Sequence, residues 1–171
     1  MKIIKKLNIK APIETVWKIW AVDFDKAGDW MAFVNHSYET DPDEKLTDAP
    51  IAGRVCEFST SEDGPIAMED VTRFDADNYR LDISVIPKNF PAPIVQNLVS
   101  TKLTKINDHE TLMDFEASIK LTTLGNLMAP VIKVGFGKQL GQMLEELKHY
   151  AETGNVHPRK QKKLNEQFVK A

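Results

Sequence analysis

The residues able to do chemistry are few, and most lie in the middle of the chain. Glu69 and Arg73 stand four apart in a stretch, 66–75, that reads as a β-strand. Side chains alternate between the faces of a strand, so the two share one face. Facing inward, the carboxylate and guanidinium would meet in an apolar pocket. There they would orient a polar ligand head, or perturb a pKa for acid–base work. Facing outward, they form an ordinary solvated strand face. The pattern leaves both open, because Ile66, Met68, Asp70, Thr72 and Phe74 oppose Ala67, Glu69, Val71, Arg73 and Asp75. His36 begins a strand near the expected pocket mouth and is the remaining acid–base candidate, with an exposed or capping role as its alternative. His109 falls in a turn and His149 on the polar side of a helix, so both are expected in solvent. No histidine has a partner at metal-ligand spacing, and with one cysteine no metal site is expected. That cysteine, Cys56, lies in a strand pattern without an activating base and reads as a small core or cavity residue. There is no nucleophile elbow, phosphate-binding glycine loop or dinucleotide fingerprint, so no cofactor is expected.

The elements that must position these groups follow from periodicity. Residues 2–10 alternate as a strand, with Ile3, Leu7 and Ile9 on one face and Lys2, Lys6, Asn8 and Lys10 on the other. Pro12 suits the first turn of a short helix carrying Val16, Trp17, Ile19 and Trp20, and a second short helix covers Asp23 to Trp30. The tryptophans in these helices read as core. Strand-like segments follow at 34–40, 53–60, 66–75, 79–86, 94–106 and 110–122. Turn signals at Asp41-Pro42, Pro50, Asp63-Gly64-Pro65, Asp77-Asn78 and Asn107-Asp108 separate them. Thr123 to Gly154 reads as one long amphipathic helix. Phe136, Leu140, Met143, Leu144, Leu147, Tyr150 and Ala151 lie on its buried face, with Lys138, Gln142, Glu145, Glu146 and Lys148 opposite. Half of the eight glycines, Gly125, Gly135, Gly137 and Gly141, lie within its first 19 residues. Each interior glycine costs about 0.5–1 kcal/mol relative to alanine, so either close packing on a sheet or room for a guest beneath the helix is expected to offset it. Strands joined by short turns predict an antiparallel, curved sheet of about seven strands wrapped around the long helix, an α+β fold with two short helices after the first strand.

Composition sets outer limits. A chain of 171 residues with 42% apolar and 27% charged content is of ordinary globular type and long enough for one core. A net charge of −3 gives no reason to expect nucleic acid. The charge is uneven. Residues 155–171 carry five Lys or Arg against Glu166, a surplus of +4 that leaves −7 on residues 1–154. The reading is one domain over 1–154 and a basic extension over 155–171, solvated or weakly docked, with room for a short amphipathic helix around Leu164 and Phe168. A lone cysteine fits a reducing compartment, and neither a signal-peptide core nor a run of about 20 apolar residues is present. A cytoplasmic monomer or homodimer without membrane insertion is expected.

Local sequence carries a resemblance. The segment IKAPIETVWKIWAVDFDKAGDW, with Pro12, Val16, Trp17 and Trp30, resembles the entry of the START-like superfamily, also called SRPBCC or birch-pollen-allergen-like. GRVCEFST followed by IAMEDVTRFDADNYRLDISV is similar to the bacterial polyketide cyclase/dehydrase-like branch, at Gly53, Glu69, Val71, Asp75 and Tyr79. LMAPVIKVGFGKQLGQMLEELKHYAETG resembles the closing helix, and the likeness spans about residues 2–154. Where many members have His-Pro after the tryptophan of the second helix, this chain has Met31-Ala32, so roles assigned to that spot do not carry over. The resemblance implies a helix-grip fold, with a cavity between sheet and long helix for an apolar or amphipathic small molecule.

Strand alternation then nominates the lining. Met113, Phe115, Ala117, Ile119 and Leu121 share a face, as do Leu81, Ile83 and Val85. In 53–60 the faces are less distinct, with Val55, Glu57 and Ser59 opposite Cys56, Phe58 and Thr60. The candidate ligand contacts are Phe58, Leu81, Ile83, Phe90, Met113, Phe115, Ala117, Ile119, Phe136 and Leu140. Phe90 stands among Pro87, Pro91 and Pro93, on a stiff loop read either as a lid or as a gap filler. The leading function is binding of a lipid, polyketide or aromatic metabolite. The alternative is a polyketide cyclase or dehydratase using Glu69, Arg73 and His36, and a protein-interaction role for the tail or loop ranks third.

Overall fold

A computed structural model describes residues 1–40, 45–90 and 93–170, with side chains to 166. The Asp41-Pro42 turn and Pro91 lie outside the described residues, as does the side chain of Phe168. Seven strands form one antiparallel sheet: β1 (Lys2–Ile9), β2 (His36–Glu39), β3 (Gly53–Glu57), β4 (Ile66–Asp75), β5 (Arg80–Lys88), β6 (Ile94–Asn107) and β7 (Glu110–Leu121), in the order β1-β7-β6-β5-β4-β3-β2. Two short helices, α1 (Ile13–Trp17) and α2 (Ala27–Trp30), follow β1, joined by a π turn over Lys18–Val22 and a 3-10 turn over Phe24–Lys26. Across these helices and turns Ile13, Val16, Trp17, Trp20, Ala21, Phe24, Ala27 and Trp30 are buried. Trp17 packs on Phe74 and Tyr79, and Trp20 on Trp30 and Phe115.

The long C-terminal helix is not continuous from Thr123. A first piece, α3 (Thr123–Leu127), is capped by Thr122, whose Oγ1 accepts from Gly125 N at 3.1 Å. The chain breaks at Met128, and α4 runs Ala129–Thr153 to a left-handed stop at Gly154. Pro130 explains the break: it lacks an N–H, and its ring would collide with the carbonyl four residues back. Gly125 serves close approach, since a Cβ there would lie 2.8 Å from the Pro93 carbonyl. Gly135 and Gly141 do not, because a Cβ on either meets nothing within 4 Å. Close packing on the sheet therefore does not explain them. The outer side of α3 and of the start of α4 leaves Leu124, Leu127, Val131 and Val134 exposed.

Of the two alternatives for the tail, solvated or docked, the structure shows the docked one. Residues Pro158–Lys170 form α5, which folds back on α4. Arg159 donates to Glu146 Oε1 at 2.7 Å and to the Gln142 carbonyl at 3.0 Å. Lys160 is buried and its Nζ donates to the Val34 carbonyl at 2.8 Å. Glu146, assigned by periodicity to the solvent face of α4, is therefore covered, and it also accepts from Ala32 N at 2.9 Å. His149 is half-buried rather than solvated, its ring 5.2 Å from that of His157. Among the described residues no helix is long and apolar enough to cross a membrane, and no group of three His, Cys, Asp or Glu could hold a metal.

Candidate functional site

Between the concave face of the sheet and α4 lies a cavity of about 180 Å3. Its floor comes from alternate residues of successive strands: Ala67 and Glu69 of β4, Ile83, Val85 and Pro87 of β5, Asn97 and Val99 of β6, and Phe115 of β7. Phe136, Gln139, Leu140 and Met143 roof it, spaced as one face of α4. The side walls are Met31, Phe33 and Val34 after α2, with Trp20 at the inner end. Trp20 is held there by its Nε1, which donates to Thr101 Oγ1 at 2.9 Å. Phe33, Phe58 and Phe90 line the cavity while remaining partly exposed, so they stand between it and solvent. Phe33 and Phe58 stack with centroids 5.8 Å apart, and Phe90 meets Phe58 edge-on at 5.0 Å.

One ionic pair sits in this apolar surround. Arg54 is opposite Glu69 in the β3–β4 register, and its Nε and Nη2 reach Glu69 Oε2 at 2.8 and 2.6 Å. Nη1 donates to the Phe24 carbonyl at 2.6 Å, and the guanidinium lies 3.9 Å from the Phe24 ring centroid. Gly53 makes this possible, since a Cβ there would lie 2.3 Å from the Glu69 carbonyl oxygen. Burial works against the charge on Arg54, but the adjacent Glu69 carboxylate outweighs it and holds the guanidinium pKa above its usual value. Neighbouring Cys56 is pushed up to about 12, chiefly by burial, and is a neutral thiol rather than a nucleophile.

The partner of Glu69 is thus Arg54, and the expected Glu69–Arg73 pair does not form. A bulge between Val71 and Arg73 inserts Thr72 and reverses the alternation. Val71 and Phe74 both turn inward, while Arg73 faces out, 52% exposed, 3.8 Å from Asp82. His36 is also outside, 66% exposed, with Nδ1 3.6 Å from Glu57 Oε2. It sits on the edge strand β2, whose residues are mostly exposed. Of the candidate ligand contacts, Phe58, Ile83, Phe90, Phe115, Phe136 and Leu140 line the cavity. Leu81, Met113, Ala117 and Ile119 do not line it and belong to the closed core. Trp20 is linked to the Leu81 backbone through Thr101, whose Oγ1 accepts from Trp20 Nε1 at 2.9 Å and donates to the Leu81 carbonyl at 3.0 Å. At β7, α4 leans towards β1, where a Cβ on Gly137 would sit 3.9 Å from Ile3 Cδ1.

Three polar lining residues, Arg54, Asn97 and Gln139, were absent from the sequence reading. Arg54 falls on the same strand face as Cys56 and Phe58, so alternation in β3 was the available signal. Asn97 shares the inward face of β6 with Val99, Thr101 and Leu103.

No protein-family model matches the chain, and no curated protein matches it in sequence. Solved structures match in shape. A START superfamily protein from Mycobacterium smegmatis superposes with a TM-score of 0.69 at 13% identity, over 90% of this chain and 99% of that one. This chain has the START-like helix-grip fold. Ara h 8.0201 is similar with a TM-score of 0.62 at 10% identity, over 88% of this chain and 97% of the other. A Thalictrum norcoclaurine synthase point mutant, solved with a transition-state analogue, gives 0.62 at 11%, over 88% and 93%. The helix-grip sheet here spans 1–121, α4 is the gripped helix, and α5 is packed against its outer side.

Proposed function

We propose that this protein binds a small hydrophobic or amphipathic molecule between its sheet and α4. The observation that carries the reading is the cavity itself: about 180 Å3 of apolar-lined space between sheet and α4, with three partly exposed aromatic rings at its solvent side. Interiors are normally filled to crystal-like density, and space of this size costs stability unless a guest fills it. An apolar cavity of roughly 150 Å3 accepts benzene, so the volume suits a guest of one or two rings. A long-chain lipid or an extended polyketide would need the Phe33–Phe58–Phe90 cluster to open. Among the classes expected from sequence, an aromatic metabolite fits best. The likeness to a START superfamily protein supports a ligand-holding use of the fold.

A cyclase or dehydratase is less well supported. Two of its three expected participants, Arg73 and His36, face solvent. The third, Glu69, shares Oε2 between two Arg54 nitrogens. Native mass spectrometry of freshly purified protein, with organic extraction of the co-purified material, tests the binding proposal. An adduct the size of a one- or two-ring molecule is expected. A bare mass, together with small aromatic probes shifting no NMR resonance of a cavity-lining residue, would refute it.

A further inference from the structure

One polar side chain of the cavity is buried with an acceptor left unspent. Asn97 is only 5% exposed, lines the cavity, and its Oδ1 is fully buried without a hydrogen-bond partner. Buried side-chain oxygens nearly always have one, and each exception calls for a cause. The sheet cannot provide one. Asn97 is flanked in register by Val85 on β5 and Ile119 on β7, both apolar. The nearest polar position in that row is Glu69, two strands away and so about 9–10 Å distant at the backbone. Its carboxylate is an acceptor when ionised, already committed to Arg54, and gives nothing to another acceptor. Of the roof residues, Phe136, Leu140 and Met143 carry no donor, and the amide of Gln139, an exposed residue, makes no hydrogen bond to Asn97 Oδ1.

Resting on the cavity-binding reading above, we propose that the guest carries a hydrogen-bond donor, a hydroxyl or N–H on a one- or two-ring body, and that Asn97 Oδ1 accepts it. The site thereby selects phenol-like molecules over hydrocarbons of the same shape. A site built to pair a substrate hydroxyl rejects the analogue that lacks it, because its own polar group is then left buried and unpaired. The apolar walls hold the ring through area and contact, and discriminate little between a hydroxyl and a methyl. Discrimination therefore falls to Asn97.

The experiment compares p-cresol with p-xylene, which exchange a hydroxyl for a methyl at nearly constant shape. Both are titrated by NMR into the wild-type protein, Asn97→Leu and Asn97→Ala. The wild-type ratio of affinities, p-cresol over p-xylene, is expected to fall by about ten- to a hundred-fold in both variants. Asn97→Leu is also expected to raise the melting temperature measured without probe, since it removes an unpaired amide from an apolar surround. Asn97→Ala leaves more space without adding bulk, so its affinity ratio reports on the amide even where Leu does not fit. An unchanged ratio in the variants, with both probes still bound in the cavity, overturns the role of Asn97 and leaves cavity binding standing. Failure of both probes to bind the wild-type protein overturns the cavity reading and this one with it.

Discussion

Replacing Arg54 by methionine should be among the most damaging single changes in this protein. The substitution keeps an unbranched apolar stem and removes the charge opposite Glu69. The Arg54 and Glu69 side chains are 5% and 12% exposed, so solvent cannot repair the loss. Removing one partner of a buried ion pair costs about 3–5 kcal/mol, because the other charge is left uncompensated. For a chain of this length that corresponds to a drop in Tm of about 6–20 °C. Glu69→Met should cost a similar amount, by stranding the guanidinium. The double variant separates charge from packing. With both charges gone, the main residual loss is the donor to the Phe24 carbonyl, which Arg54 Nη1 supplies at 2.6 Å. An orphaned carbonyl costs about 1–3 kcal/mol. The double variant should thus be more stable than either single, with a coupling energy of at least about 3 kcal/mol in a double-mutant cycle. Urea denaturation at pH 7 of the four proteins, fitted with a shared slope, gives the cycle. If the two single losses simply add, the pair is not an energetic unit and the reasoning fails.

Three further outcomes follow from the structure. Gly135→Ala with Gly141→Ala should raise stability by about 1–2 kcal/mol in total, since neither added methyl meets an atom within 4 Å and each glycine weakens the helix; a lower Tm would show that the helix needs their freedom. Lys160→Ala should cost about 1–3 kcal/mol by leaving the buried Val34 carbonyl unpaired, whereas a solvated tail would show no change in thermal melting. His157 is held below its usual pKa, first by burial and then by the Arg159 charge, against the opposing pull of Glu146 and Glu145 and with His149 adding to the depression. Its neutral form is favoured by the fold, so its contribution is complete above about pH 6.5 and is lost as pH falls through the lower folded value. Denaturation midpoints at pH 5.5 and 7.5 should therefore differ less in His157→Gln than in wild type.

The strands were legible because each inward face repeats every second residue and turn residues punctuate the runs. β4 and β7 were placed from this alone to within a residue of their observed ends. The bulge at Thr72 was not legible, since nothing local distinguishes Thr72 from its neighbours, and Phe74, on the shifted phase, packs on Trp17, a residue far away in sequence. That single residue moved the expected cation from Arg73 to Arg54. The break at Met128 was written in Pro130, but the apolar spacing on either side outweighed it. Docking of α5 was legible only as one of two alternatives, for a different reason. A run of lysines reads as solvated, and the carbonyl that accepts from Lys160 belongs to Val34, 126 residues earlier. In the cavity, alternation nominated seven strand residues, of which Phe58, Ile83 and Phe115 line it while Leu81, Met113, Ala117 and Ile119 belong to the closed core, because a strand face does not tell where along it the helix leaves space. Asn97 did not stand out, because an asparagine on an apolar face carries no motif.

The strand order also governs how this molecule is made. From β2 to β7 every neighbour in the sheet is a neighbour in sequence, but β1 pairs only with β7, with Lys2 opposite Ser118. At synthesis rates of about 5–20 residues per second, β1 leaves the ribosome on the order of ten seconds before its partner. During that interval it is an orphan edge carrying Ile3, Ile9 and an unpaired backbone, the kind of segment that recruits neighbouring chains. Lys2, Lys5, Lys6 and Lys10 give the waiting strand a dense positive charge. In the finished sheet Lys2 and Lys6 meet Glu116 and Asp114 of β7 at 2.6 and 2.9 Å. The same charges that keep the nascent strand apart from its copies thus register it on arrival, and the earliest of the seven strands becomes the last clasp of the sheet.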